Sequence, residues 1–226
     1  IIQEMSLVYQ HDQRPWMIGF SGGKDSTLLC QLVFEMIERL PAHKRTKKVY
    51  IVTSDTMVEN PIVRSYMHRT SNTINSASTA KALNIEAHMI YPEVSQTFWS
   101  LVIGLGYPTP EPPGFRWCTE RLKLNPSNAF TYNTIKNDGE VIILLGVRKA
   151  ESAARSRSIS SHEIEGKILT PHNQISKAYV YSPLANIKNE LVWEYLLKDD
   201  GLSAWGTDNK YLFSLYPVSY THLTLP

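Results

Sequence analysis

Apolar residues in this chain fall into two kinds of run. Short, nearly unbroken runs rich in β-branched and aromatic residues occur at WMIGF (16–20), VYIVTS (49–54), IEAHMI (85–90), EVIILLG (140–146) and YVYSPL (179–184). Runs of this length and composition read as buried strands. Between them lie longer stretches with helical spacing. One covers 26–40 and stops near Pro41, and one covers 61–82 with Pro61 in its first turn. Shorter helices are expected over 95–104, from 126 to 136, through RKAESAARSRS (148–158), and over 188–200, where Leu191, Val192, Tyr195 and Leu196 share a face. Irregular connections are expected at the basic stretch AHKRTKK (42–48), at the proline-rich GYPTPEPPGFRW (106–117) and over 158–177.

Strands alternating with helices predict an α/β domain, a doubly wound, mostly parallel sheet with helices on both faces. Ligands of such sheets lie at the carboxyl ends of the strands. Composition agrees: 42% hydrophobic and 19% charged residues describe a globular chain rather than a disordered one. No apolar run approaches the length of a membrane span, and IIQEMSLVYQHD lacks the pattern of a signal peptide. A net charge of +2 permits a nucleic-acid partner without arguing for one, and 42–48 reads as a solvated surface run. Two cysteines, Cys30 and Cys118, make no disulfide framework, so a reducing, cytoplasmic setting is expected.

The polar motifs fall where the first, second and fourth strands end. Ser21-Gly22-Gly23-Lys24-Asp25-Ser26 follows the first. Glycines let backbone N–H groups converge on an anion, the next helix adds its free N–H groups and positive pole, and Lys24 adds a cation. Ser21 and Ser26 add hydroxyls, giving a cradle for a di- or triphosphate. The spacing matches neither GxxxxGK[ST] nor GxGxxG. Asp55 ends the second strand, where a carboxylate suits Mg²⁺, a ribose hydroxyl or a helix cap; Glu59 and Asn60 follow it. After the fourth strand, Arg148 and Arg155 are placed to fork onto phosphates, with Glu151 between them to orient either one. Cys118 sits in a loop beside Arg116, Arg121 and Lys123, and nearby cations favour the thiolate, the form that attacks sulfur or binds metal. Cys30, on the apolar helix, reads as core, as does Trp193.

SGGKDS resembles the PP-loop of the ATP pyrophosphatases, which cut ATP between its α and β phosphates, and GVRKAES resembles the element that these enzymes and the phosphoadenosine-phosphosulfate reductases place over the nucleotide. SDTMVENP, TFWSLVIGLGYPTP, FRWCTERLK, LLGVRKAES and AWGTDNKYLFSLY, in that order, are similar to the DndC-type sulfurtransferases of bacterial DNA phosphorothioation within this superfamily. The resemblance runs from about residue 1 to residue 217 and implies the adenine-nucleotide α-hydrolase-like fold as one domain. It also implies ATP and Mg²⁺ as ligands. Ser21, Gly22, Gly23, Lys24, Asp25, Ser26, Asp55, Arg148, Glu151 and Arg155 would form the nucleotide site, with Lys24, Asp25 and Arg148 catalytic and Asp25 or Asp55 near the Mg²⁺.

The same resemblance implies a [4Fe–4S] cluster with Cys118 as one ligand and the others beyond NKYLFSLY. The implied partners are a DNA substrate, a cysteine desulfurase as sulfur donor and further subunits of the modification complex, in a bacterial cytoplasm. The superfamily leaves open a reductase of phosphoadenosine phosphosulfate, a tRNA-thiolating enzyme, and a nucleotide-binding subunit of a defence complex without catalysis. Intact Lys24 weighs against the first, and Lys24, Asp25 and Asp55 together against the last. VSYTHLTLP (218–226) resembles translated read-through of a sequencing adapter, and the chain lacks an initial methionine; it reads as a fragment cut at both ends.

Overall fold

The strand β1 (Trp16–Gly19) alternates its side chains between two apolar layers. Trp16 and Ile18 join the larger cluster, while Met17 joins the smaller one on the opposite face. The strand β4 (Val141–Leu144) does the same, with Ile142 and Leu144 on one side and Val141 and Ile143 on the other. All four β4 residues are buried, as a strand covered on both faces requires. The protein is described by a computed structural model covering residues 1–110, 116–164 and 166–216. The adapter-like tail therefore lies outside the described residues, as does part of the proline-rich connection.

The remaining elements are α1 (Ile2–His11), α2 (Lys24–Arg39), β2 (Val49–Ser54), α3 (Pro61–Lys81), β3 (Ile85–Ile90), α4 (Trp117–Thr119), α5 (Asn125–Asp138), α6 (Ala153–His162), β5 (Thr170–Pro171), β6 (Ala178–Tyr181), α7 (Asn189–Leu197) and α8 (Asn209–Ser214). The strands form one sheet in the order β3-β2-β1-β4-β6-β5. All pairs are parallel except β5 with β6. Chain order reverses at β1, which lies between β2 and β4, with Ile18 level with both Ile51 and Leu144. The α/β sheet and its mostly parallel pairing agree with the sequence. The helix α2 is buried along most of its length, from Ser26 through Phe34, which explains its continuous apolar character. Asn60 caps α3 by accepting a hydrogen bond from the Ile62 N–H, and Ala82 ends it in the left-handed conformation.

Some elements differ from expectation. Residues 95–104 do not form one α-helix but a 3₁₀ turn at Val94–Gln96 and a π-helical turn at Ser100–Gly104. The connection 158–177 is interrupted by the end of α6 and by β5. The stretch 42–48 is not wholly a solvated run. Lys47 is 1% exposed, with its ammonium 2.9 Å from Asp12 Oδ1 and over the rings of Tyr9 and Trp16. No helix among the described residues is long and apolar enough to cross a membrane.

Candidate functional site

The switch between β2 and β4 puts the loop Ser21–Gly23 at the carboxyl edge of the sheet, against the first turn of α2. Gly22 has φ +73°, and a Cβ there would lie 2.9 Å from Met67 Cγ on α3. That left-handed turn and the close approach explain the first glycine. Ser26 ties the loop to itself. Its hydroxyl donates to the Gly23 carbonyl at 2.9 Å and accepts from the Ser21 N–H at 3.3 Å. Ser26 is buried, so of the two serines only Ser21 is exposed. Gly23 caps α2 without a side chain, leaving helix N–H donors and the positive pole facing the loop.

Asp25 occupies the first turn of α2, where a carboxylate favours the helix pole. Its Oδ1 accepts from Arg148 Nε at 2.7 Å, and its Oδ2 lies 3.4 Å from Lys24 Nζ. Arg148 follows β4 and its side chain is fully buried. Its Nη1 donates to the Ile187 carbonyl at 3.2 Å, and its backbone N–H donates to Glu151 Oε1 at 2.8 Å. Glu151 Oε2 in turn lies 3.5 Å from Arg155 Nε. Arg148 thus sits beneath the loop and grips Asp25, which differs from a guanidinium opened toward a phosphate. Its Nη2 is buried with no hydrogen-bond partner among the described residues. Gly146 permits this junction, since a Cβ there would lie 3.0 Å from the Asp25 carbonyl oxygen.

Asp55 has a different setting. Its side chain is fully buried, Oδ2 accepts from Arg64 Nε at 2.7 Å and is bonded to His68 Nε2 at 2.9 Å, and Oδ1 accepts from the Met57 N–H at 2.8 Å. Burial alone would raise this carboxyl; the bonds from His68, Arg64 and the Met57 N–H outweigh it and hold the group below the ordinary carboxylate value. Both oxygens are engaged, so Asp55 does not fit as a Mg²⁺ ligand here. Asp25 fits better, because Oδ2 is only loosely held and its side chain is 21% exposed. Among the described residues no three His, Cys, Asp or Glu side chains form a metal cage, but Mg²⁺ bound mainly through phosphates needs only one or two carboxylates.

Two cavities flank this edge. One of about 310 Å³ lies between the ends of β1 and β2, lined by Gly19, Ser21, Ser54, Glu59, Met67 and Lys123 among others. Glu59 and Lys123 pair across it at 3.2 Å. The other, of about 350 Å³, lies between α6 and the ends of β4 and β6, with Arg155, His162, His172, Asn173 and Ser182 in its walls. His172 Nδ1 accepts from the Gln174 and Ile175 N–H groups, which leaves Nε2–H as the ring's donor, and burial lowers its pKa.

Cys118 is half-buried on α4. The adjacent Trp117 stacks on Phe98 at 5.6 Å and donates to the Pro108 carbonyl. Of the cations near Cys118 in the sequence, Arg121 donates to Gln96 and Lys123 pairs with Glu59. Cys30 is wholly buried in the core. A [4Fe–4S] cluster takes four thiolates, and this chain has two cysteines, one of them in the core, so the residues present do not fit a cluster.

The structure therefore gathers Ser21, Gly22, Gly23, Lys24, Asp25, Ser26, Arg148 and Glu151 at one strand edge, with Arg155 alongside. No hydrogen bond or ion pair among the described residues joins Asp55 or Cys118 to that loop. Sequence reasoning missed Arg64 and His68, whose spacing on α3 is readable, and Tyr216, whose hydroxyl accepts from the Lys24 N–H at 2.8 Å.

The phosphoadenosine phosphosulfate reductase domain model matches residues 15–202. An uncharacterized protein of Methanocaldococcus jannaschii is 25% identical over 191 residues, 84% of this chain and 33% of that protein; the chain thus spans about a third of that relative. Its fold is similar to that of the phosphoadenylyl-sulfate reductase from Candida auris, solved as a phosphate complex, with 14% identity, a TM-score of 0.53, and 96% of this chain and 84% of that one covered. A U34-tRNA thiolase from Methanococcus maripaludis, solved with its [4Fe–4S] cluster, has 14% identity and a TM-score of 0.46, with 86% and 62% covered.

Proposed function

The chain belongs to the phosphoadenosine phosphosulfate reductase domain family, and from that premise we propose that it is the nucleotide-binding domain of an ATP-dependent sulfurtransferase acting on DNA backbone phosphate. The observation that carries this reading is Lys24. Its backbone N–H lies in the first turn of α2 and its ammonium lies 3.4 Å from Asp25, so a cation meets the glycine turn at the positive pole of the helix. The geometry supports a polyphosphate there, with Arg148 beneath the loop fixing Asp25.

In the proposed reaction a non-bridging oxygen of the DNA phosphate attacks the α-phosphorus of ATP. The Pα–O–Pβ bond breaks and pyrophosphate leaves. A persulfide sulfur, supplied through a cysteine desulfurase, then attacks the DNA phosphorus and AMP departs with the displaced oxygen; a thiol reductant cleaves the remaining S–S bond, leaving the phosphorothioate and a disulfide. The chain's task is to hold the triphosphate in line and to offset charge on the leaving pyrophosphate. Lys24 and the loop N–H groups carry that load. Asp25, fixed by Arg148, would hold a Mg²⁺, which supplies further charge neutralisation when bound. The cavity between β1 and β2 suits the adenosine, and the cavity beside α6, with Arg155 on its wall, suits the acceptor strand. The DNA substrate, the desulfurase and the other subunits belong to this proposal.

A second reading, reduction of phosphoadenosine phosphosulfate, is favoured by the family itself. The products separate the two. The full-length protein with ATP and DNA carrying ¹⁸O-labelled phosphates is expected to release pyrophosphate and ¹⁸O-labelled AMP. Release of ADP and phosphate, or sulfite formed from phosphoadenosine phosphosulfate without pyrophosphate, would overturn the proposal.

A further inference from the structure

Tyr216 is far from the loop in sequence and on it in space. Its hydroxyl oxygen accepts from the Lys24 backbone N–H at 2.8 Å, across 192 residues. That N–H lies in the first turn of α2, where donors have no partner within the helix and serve anions. The Lys24 ammonium lies 5.4 Å from the centre of the Tyr216 ring. A Cβ on Gly23 would come 3.2 Å from the same hydroxyl, so the absence of a side chain at Gly23 opens the loop to Tyr216 as it would to a phosphate.

The tyrosine is held in place from behind. Its ring meets Trp193 edge-on at 5.1 Å. The preceding helix α8 is pinned by Asn209, whose side-chain amide donates to Gln31 Oε1 at 3.2 Å and to the Leu196 carbonyl at 3.0 Å. The hydroxyl is therefore delivered by an anchored segment.

We propose that Tyr216 is an affinity-determining residue of the phosphate site, an internal competitor whose hydroxyl takes the place of a phosphate oxygen. This rests on the reading of the loop as a phosphate cradle. A single N–H makes one good hydrogen bond, so a phosphoryl oxygen on Lys24 N must displace the tyrosine. Charge-assisted bonds are roughly twice as strong as neutral ones, so a polyphosphate that also engages Lys24 Nζ wins the exchange, whereas a weakly held anion does not. Tyr216 thereby lowers the loop's affinity for every phosphate and couples its occupation to displacement of the Tyr216 hydroxyl from the Lys24 N–H.

The test is isothermal titration of the full-length protein and its Tyr216→Phe variant with inorganic pyrophosphate and with ATP. Phenylalanine keeps the ring on Trp193 and removes only the competing oxygen. The variant is expected to bind both ligands more tightly by roughly three- to tenfold, the reach of one neutral hydrogen bond. Equal or weaker binding by Tyr216→Phe, with the wild type still binding ATP, overturns this proposal and leaves the nucleotide reading intact. Failure of both proteins to bind either ligand overturns the nucleotide reading and this proposal with it.

Discussion

Arg148 Nε donates to Asp25 Oδ1 at 2.7 Å, joining the turn after β4 to the first turn of α2. The guanidinium is fully buried, and Asp25 is its ion-pair partner. Removing one member of a buried pair strands the other charge, at a cost of about 3–5 kcal/mol. Asp25→Ala is therefore expected to destabilise the fold by about 3 kcal/mol, measured by urea denaturation. Arg148→Met, which removes the charge that needs a partner, should cost less. Equal losses for the two would show that the pair itself, rather than the stranded charge, sets the stability.

Asp55 predicts an acid limb. Its carboxyl is held below the ordinary value in the fold, so the stability it contributes is fully present above that ordinary value, near pH 4. It is lost as the pH falls through the lower, folded value. Asp55→Asn should flatten the loss of stability on acidification and cost about 2 kcal/mol at pH 7, through the bonds to Arg64 and His68. Denaturation curves at pH 3 and pH 7 read both; an unchanged acid limb would remove Asp55 from its cause.

Two glycines are expected to fail for different reasons. Gly22→Ala meets both a φ of +73° and Met67 Cγ at 2.9 Å. The conformational part alone costs about 1–2 kcal/mol. A second change, Met67→Ala, should relieve the clash and leave that part. Gly146→Ala has no such strain but presses on backbone, the Asp25 carbonyl at 3.0 Å, and no side-chain change should rescue it. Thermal unfolding of the three variants separates the two mechanisms.

The two cysteines should react differently. Cys118 is half-buried and Cys30 is wholly enclosed, where burial pushes its thiol up. Brief iodoacetamide treatment of the native protein, followed by peptide mass spectrometry, is expected to label Cys118 and spare Cys30 until denaturant is added. Prompt labelling of Cys30 would contradict its place in the core.

The central strands β1 and β4 were legible because they are apolar, and a fully covered strand such as Val141–Leu144 leaves no polar position to confuse the pattern, whereas the two-residue β5 was not. The helix α1 was not, because only Met5 and Tyr9 are buried and no side chain caps its start. Six-residue α8 is too short for a period to show. Lys47 looks like a surface lysine because its partner, Asp12, is 35 residues away. The phosphate loop was readable because its chemistry is local, glycines, lysine and helix start in one stretch. What lies beneath and upon it was not: Arg148 and Tyr216 reach it across 123 and 192 residues. Residue type alone suggested that Arg148 would face a phosphate, whereas its burial commits it to Asp25.

Lys24 and its loop are proposed to work on the triphosphate of ATP. Pyrophosphate release by the full-length protein in the presence of DNA, compared with its Lys24→Ala variant, tests this most directly. Loss of a cation that stabilises the departing phosphates is expected to lower the rate by roughly a hundredfold or more, with the fold intact by circular dichroism. Equal rates in the two proteins would contradict the account.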